Sequence, residues 1–154
     1  MWEINKLTND EAEKYSALLN KIWNASRYVW ANFIDNKKKK EEKKSLETLG
    51  IYLEKKISKM EPNEYRMLCR IKDLYEELSD NLDKNNLSYI STRAIECMKK
   101  DFCDKYLEII KIRNSEITEK VAIFCIGMFM QLLHPVIPFL TEKVRNLFGF
   151  DNYI

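Results

Sequence analysis

The stretch Asn20-Lys21-Ile22-Trp23-Asn24-Ala25-Ser26-Arg27-Tyr28-Val29-Trp30 carries the side chains best suited to chemistry in this chain. At about 100° per helical residue, Asn20, Lys21, Asn24, Arg27 and Tyr28 gather within an arc of about 120°. They supply two cations, two amides and one aromatic ring. An unpaired RNA loop asks for that set: cations for phosphate, amides for base edges and a ring for stacking. The same residues would equally serve as the solvated outer face of a bundle helix, and periodicity alone does not separate the two readings.

Other chemistries find no support. His134 is the single histidine, and its place at a helix end before Pro135 suits a structural hydrogen bond. There is no Glu-x-x-His pair or Cys/His cluster of the kind that holds a metal in a helical bundle. Three glycines spread along the chain do not make a phosphate-cradling loop. No nucleophile stands with its base, so no catalytic residue, metal ligand or cofactor is assigned to this chain. Cys69, Cys97, Cys103 and Cys125 form no C-x-x-C pair and sit in or beside apolar helical repeats, as structural reduced thiols do.

The elements that must position the RNA-type face are helical. The chain has 154 residues, 45% hydrophobic and 32% charged, with only three glycines and three prolines, which suits a single all-α domain. Its net charge is +2; Lys37 to Lys44 supplies six lysines against Glu41 and Glu42, a local +4 that leaves −2 for the remainder. Any RNA contact is therefore local rather than a basic blanket. Core-type residues at Tyr15, Leu19, Ile22, Ser26, Val29 and Phe33 predict a first helix from about Asn9 to Phe33. Residues 36–60 read as a variable connector, part helical, in which Leu46, Leu49, Leu53, Ile57 and Met60 suggest a weak helix interrupted by Gly50. Pro62 and Asn63 restart the pattern, and Leu68, Ile71, Tyr75, Leu78 and Leu82 mark a second major helix. Its outer face carries Asp73, Glu76, Glu77, Asp80 and Asp83, which would repel phosphate.

Asn85 and Asn86 mark a turn, with Ser88 as cap of a third major helix striped by Ile95, Met98, Phe102, Tyr106 and Ile109. A fourth, from about Glu116 to Leu133, is apolar on more than one face and reads as the most buried. His134-Pro135 stops it, and Pro138 opens a short last helix with Phe139, Leu140, Val144, Leu147 and Phe148 available for packing. The predicted architecture is an antiparallel bundle of four main helices plus a short C-terminal one. No secretory signal is visible, and the most apolar stretch, Val121 to Leu133, is too short to span a bilayer. A cytoplasmic monomer without a membrane partner is the expectation.

Four stretches in series resemble the anticodon-binding helical domain of class I aminoacyl-tRNA synthetases of the valine, isoleucine and leucine subgroup. They are Asn20 to Val29, which is most similar to the valine enzymes; Tyr65-Arg66-Met67-Leu68-Cys69-Arg70-Ile71; Asp101-Phe102-Cys103-Asp104-Lys105-Tyr106-Leu107-Glu108; and Leu132-Leu133-His134-Pro135-Val136-Ile137-Pro138-Phe139-Leu140-Thr141-Glu142. The resemblance spans roughly residues 15 to 148. It departs from the family at Lys105, where tryptophan is usual, and along residues 35–60. It implies that the chain holds the anticodon stem-loop of valine tRNA, with Asn20, Lys21, Asn24, Arg27, Tyr28, Arg66 and Arg70 as the RNA-binding residues. The parent enzyme would attach valine to that tRNA with ATP and magnesium in a Rossmann domain whose signature motifs this chain lacks. The chain then looks like a domain of a longer, catalytic polypeptide. Two alternatives stand beside this reading: the equivalent domain of an isoleucyl or leucyl-type synthetase, and a helical module that binds a protein partner through an exposed seam.

Overall fold

The computed structural model describes residues 9–35, 45–82, 86–113 and 115–150, and all the described regular structure is helical. Helix α1 is Asn9–Phe33, α2 Leu46–Lys55, α3 Pro62–Leu82, α4 Leu87–Cys97, α5 Leu107–Ile112, α6 Glu116–Leu133 and α7 Pro138–Phe148. A 3-10 turn, Ile57–Lys59, follows α2, and a nine-residue π-helical segment, Met98–Tyr106, joins α4 to α5 without a break. The four main rods are therefore α1, α3, the continuous α4–π–α5 unit and α6, with α7 as the short last helix. The sequence reading named these and placed α2 as a weak element. Lys37 to Lys44 lies outside the described residues.

Helix α6 is the axis of the core. Val121, Ala122, Cys125, Ile126, Phe129, Met130 and Leu133 are all fully buried. Apolar residues on every side of one helix require neighbours on every side, and α1, α2, α3, α4, α5 and α7 all pack against it. Phe102 from the π segment meets Phe129 edge-on at 6.0 Å and Tyr106 at 6.0 Å. Such aromatic contacts add to the area they bury.

Several polar groups that enter this core are hydrogen-bonded. Ser26 donates to the Ile22 carbonyl at 2.9 Å. Glu64, buried near the start of α3, accepts from the Glu61 backbone N–H at 2.6 Å and from the Thr118 hydroxyl. The first bond is the reach-back half of a capping box, and Pro62 supplies the fixed φ of a first helical turn. Ser115 caps α6 by accepting from Thr118 N–H, and Tyr106 donates to the Thr118 carbonyl at 3.1 Å. The starts of α3 and α6 are thus tied to the π segment. His134 Nδ1 lies 2.8 Å from the Thr141 hydroxyl, the structural hydrogen bond its position suggested.

Several sequence expectations need correcting. Tyr15 is 46% exposed rather than part of the seam, because the first turns of the 25-residue α1 extend past its neighbours. Phe139 is 92% exposed: it follows Pro138 in the first turn of α7, on the side turned away from the core. Asn86, not Ser88, caps α4, accepting from Tyr89 N–H. Glu77 does not stand on a free acidic face but pairs with Arg93 and accepts from Tyr89. The stripe of the third rod also shifts. Leu107 and Ile110 are buried whereas Ile109 is only half-buried. The i→i+5 bonds of the π segment widen its turns and rotate the residues that follow.

Candidate nucleic-acid interface

Helix α1 packs against the π segment, and between α1 and the π–α5 rod lies a groove of about 640 Å³. That volume is in the range of small-ligand sites. From α1 it is lined by Asn20, Lys21, Asn24 and Tyr28, and from the opposite rod by Cys103, Leu107, Glu108 and Lys111. Four of the five α1 residues picked out by the sequence therefore share one concavity. Arg27 is exposed and does not line it. With Asn20 as origin, Arg27 falls at about −20° while Tyr28 and Lys21 fall at about 80° and 100°, so the arc straddles the groove's rim.

The Tyr28 ring is half-buried, with its edge against Phe33 at 6.2 Å. The Lys111 ammonium sits 5.3 Å from the Tyr28 ring centroid, within cation–π range. Lys111 also donates to Glu108 at 2.8 Å, and that carboxylate holds the lysine above the ordinary lysine pKa, so it stays charged. Across the groove, Lys21 is hydrogen-bonded and ion-paired to Asp104. The Cys103 thiol is pushed up to about 11 by burial and stays protonated at neutral pH. Groove chemistry is thus a ring, two amides and two lysines, each lysine held by a carboxylate.

Arg66 and Arg70 are on the other flank of the π segment. They line a narrow recess with Asn63, Met67, Asp101, Lys105, Tyr106 and Ile109, whose free space of about 30 Å³ accepts only a couple of waters. Arg70 pairs with Asp101 at 3.5 Å. The seven residues named from sequence therefore fall into two clusters on either side of the π segment. Lys105, also on the π segment, is exposed there and lines the recess.

Sequence reasoning missed Lys111, Glu108 and Cys103 as groove residues and Asp104 as the partner of Lys21. Cys103, Leu107 and Lys111 recur at spacings of four, which shows they share a face. Nothing in that spacing says the face looks at α1. Among the described residues no group of three or more His, Cys, Asp or Glu could hold a metal ion, and no helix is long and apolar enough to cross a membrane. All four cysteines are free thiols.

The family of anticodon-binding domains of tRNA ligases matches residues 65–154, more than half of the chain. The valine–tRNA ligase of Fervidobacterium nodosum is 27% identical over 136 residues, covering 86% of this chain and 14% of that protein. The valine–tRNA ligase of Clostridium acetobutylicum is 29% identical over 147 residues, 91% of this chain and 15% of the relative. That of Pseudothermotoga lettingae is also 29% identical over 147 residues, 92% and 15%. The chain thus spans about one seventh of the length of the curated relatives it matches. No solved structure gives a significant match.

Proposed function

The chain belongs to the anticodon-binding domain family of tRNA ligases, and from that premise we propose that it binds the anticodon stem-loop of valine tRNA as part of a valine–tRNA ligase. The observation that carries the assignment is the α1–α5 groove, where Asn20, Lys21, Asn24 and Tyr28 face Lys111 around a space large enough for an unstacked base. In this reading Tyr28 offers a stacking surface, the two asparagines donate to and accept from base edges, and Lys21 and Arg27 meet phosphates. Arg66 and Arg70 reach the same loop from the far flank of the π segment. Valine specificity rests on the names of the relatives. The joining of valine to its tRNA, with ATP and magnesium, belongs in this proposal to a cytoplasmic enzyme of which this chain supplies only the tRNA-gripping part.

A salt titration of binding to valine tRNA, beside a transcript with a changed anticodon, tests the reading. Tighter, salt-sensitive binding to the unchanged transcript is expected. Equal, weak binding to both would remove the anticodon from the proposal and leave the bundle a scaffold.

A further inference from the structure

Three cations beside the π–α5 rod are met by carboxylates from that rod. Asp104 pairs with Lys21 on α1, Asp101 with Arg70 on α3, and Glu108 with Lys111 one turn along. The wide π turns separate Asp101 from Asp104 more than an α-helix would, which lets one serve α3 and the other α1. By contrast, Arg27 and Arg66 make no ion pair among the described residues and are exposed. The groove that carries the base-reading side chains is therefore balanced in charge, two lysines against two carboxylates, whereas Arg27 and Arg66 outside it have no such partner among the described residues.

We propose that Asp104 and Glu108 are placeholders for RNA phosphates that make binding in the groove depend on base contacts. The inference rests on the RNA-binding reading above. In the free chain the two carboxylates hold Lys21 and Lys111 in position. Both pairs are at least one-third exposed on each side, Lys21 at 39% and Asp104 at 44%, Lys111 at 42% and Glu108 at 60%. Exposed pairs of this kind are weak, so a phosphate exchanges for a carboxylate at little cost. The displaced carboxylates remain beside the groove, one turn apart, well within a Debye length of the incoming backbone. Their repulsion cancels much of what the lysines would contribute to any RNA. A loop whose bases satisfy Asn20, Asn24 and Tyr28 recovers the deficit, and one whose bases do not is rejected. Discrimination of this kind comes from weakening the wrong partner as much as from holding the right one.

The test is D104N/E108Q in the 154-residue chain, with binding measured to the valine anticodon stem-loop and to a loop with a changed anticodon across a salt series. Both RNAs should bind about three- to tenfold more tightly. The ratio between them should fall, and the salt slope should steepen by about 0.7 for each lysine released. A charge-matched control, E76Q/D80N, alters exposed carboxylates of α3 outside the groove and should shift affinity less than about twofold. Melting temperature checks that both variants are folded. If the wild type discriminates anticodons while D104N/E108Q gains nothing over the control, the placeholder role is overturned and the RNA-binding reading stands. Weaker binding by D104N/E108Q also overturns it, because the carboxylates would then be accepting from bases directly. If the folded wild type binds neither RNA at low salt, the RNA-binding reading itself falls, and the placeholder role with it.

Discussion

The groove between α1 and α5 and the cleft between α2, α3 and α6 are both formed where helices splay apart, yet their linings are opposites. The cleft, of about 370 Å³, is walled by Leu53, Ile57, Leu68, Ile71, Phe124 and Met128, with Glu54 and Lys72 as its only charged residues among those described. Tyr75 lines it too, and its hydroxyl donates to Gln131 at 2.8 Å; burial raises that phenol to about 12. The groove is bounded by amides, lysines and carboxylates whose partners are exchangeable. The cleft's shape follows from how α2 sits on α6. Gly127 faces Leu46 so closely that an added Cβ would stand 2.2 Å from Leu46 Cδ2, and Gly50 faces Phe124 at an ordinary 3.4 Å. On the proposed function, the apolar hollow serves packing and the polar hollow serves recognition. Substitutions should therefore separate: stability from the first, binding from the second.

The largest separation is expected from Leu53→Ala, which empties a 2% exposed site on the cleft wall and should cost about 2–5 kcal/mol in urea unfolding. Asn24→Ala, exposed in the groove, should stay within about 0.5 kcal/mol of wild type. Equal losses would mean the two hollows are not different in kind. Next is Gly127→Ala, where Leu46 must move to admit a methyl group, with an expected loss of about 1–3 kcal/mol. Gly50→Ala has room for its methyl, so helix propensity should dominate and stabilise the chain by about 0.5–1 kcal/mol. A destabilised Gly50→Ala would show that α2 has no slack against Phe124.

For binding, Tyr28→Ala should weaken the anticodon stem-loop by about 1–3 kcal/mol, whereas Tyr28→Phe keeps the ring and most of the affinity. An unchanged Kd for Tyr28→Ala would remove the stacking role. The smallest effect concerns the thiols. Burial raises Cys97 to about 12 and Cys103 to about 11, so their neutral forms are favoured in the folded state. Their contribution is complete below the unfolded thiol pKa of about 8.5. It is lost as pH rises from there toward about 11 to 12. Native alkylation at pH 7.5, followed by mass spectrometry, should label the half-buried Cys69 well before Cys97, Cys103 or Cys125. Early labelling of Cys103 would show that the groove floor opens.

Much of this fold is legible in the residue pattern because its signals are local. The 4-3-4-3-4 spacing of α1, the breakers at Pro62 and Pro138 and the all-round apolarity of α6 each act within one helix. The π segment was not legible: Met98 to Tyr106 keeps an acceptable α-type stripe, which does not announce the wider turn on which Phe102 and Tyr106 meet Phe129 and Thr118. The same limit applies to the site. The α1 face could be read from spacing, but its opposite wall could not, because Glu108 and Lys111 lie at least 80 residues from Tyr28 and look like an ordinary surface pair. Tyr15 was misplaced for a related reason. Periodicity tells which way a residue points, not whether a neighbouring helix extends far enough to cover it.

Amide hydrogen exchange with and without the valine anticodon stem-loop tests the central claim most directly, because it asks both hollows at once. RNA-dependent protection is predicted along residues 20–28 and 103–111, with the α2–α3–α6 cleft unchanged. Protection confined to Leu53, Ile71, Tyr75 and Phe124 and their neighbours, with the groove unaffected, would contradict it and assign recognition to the apolar side.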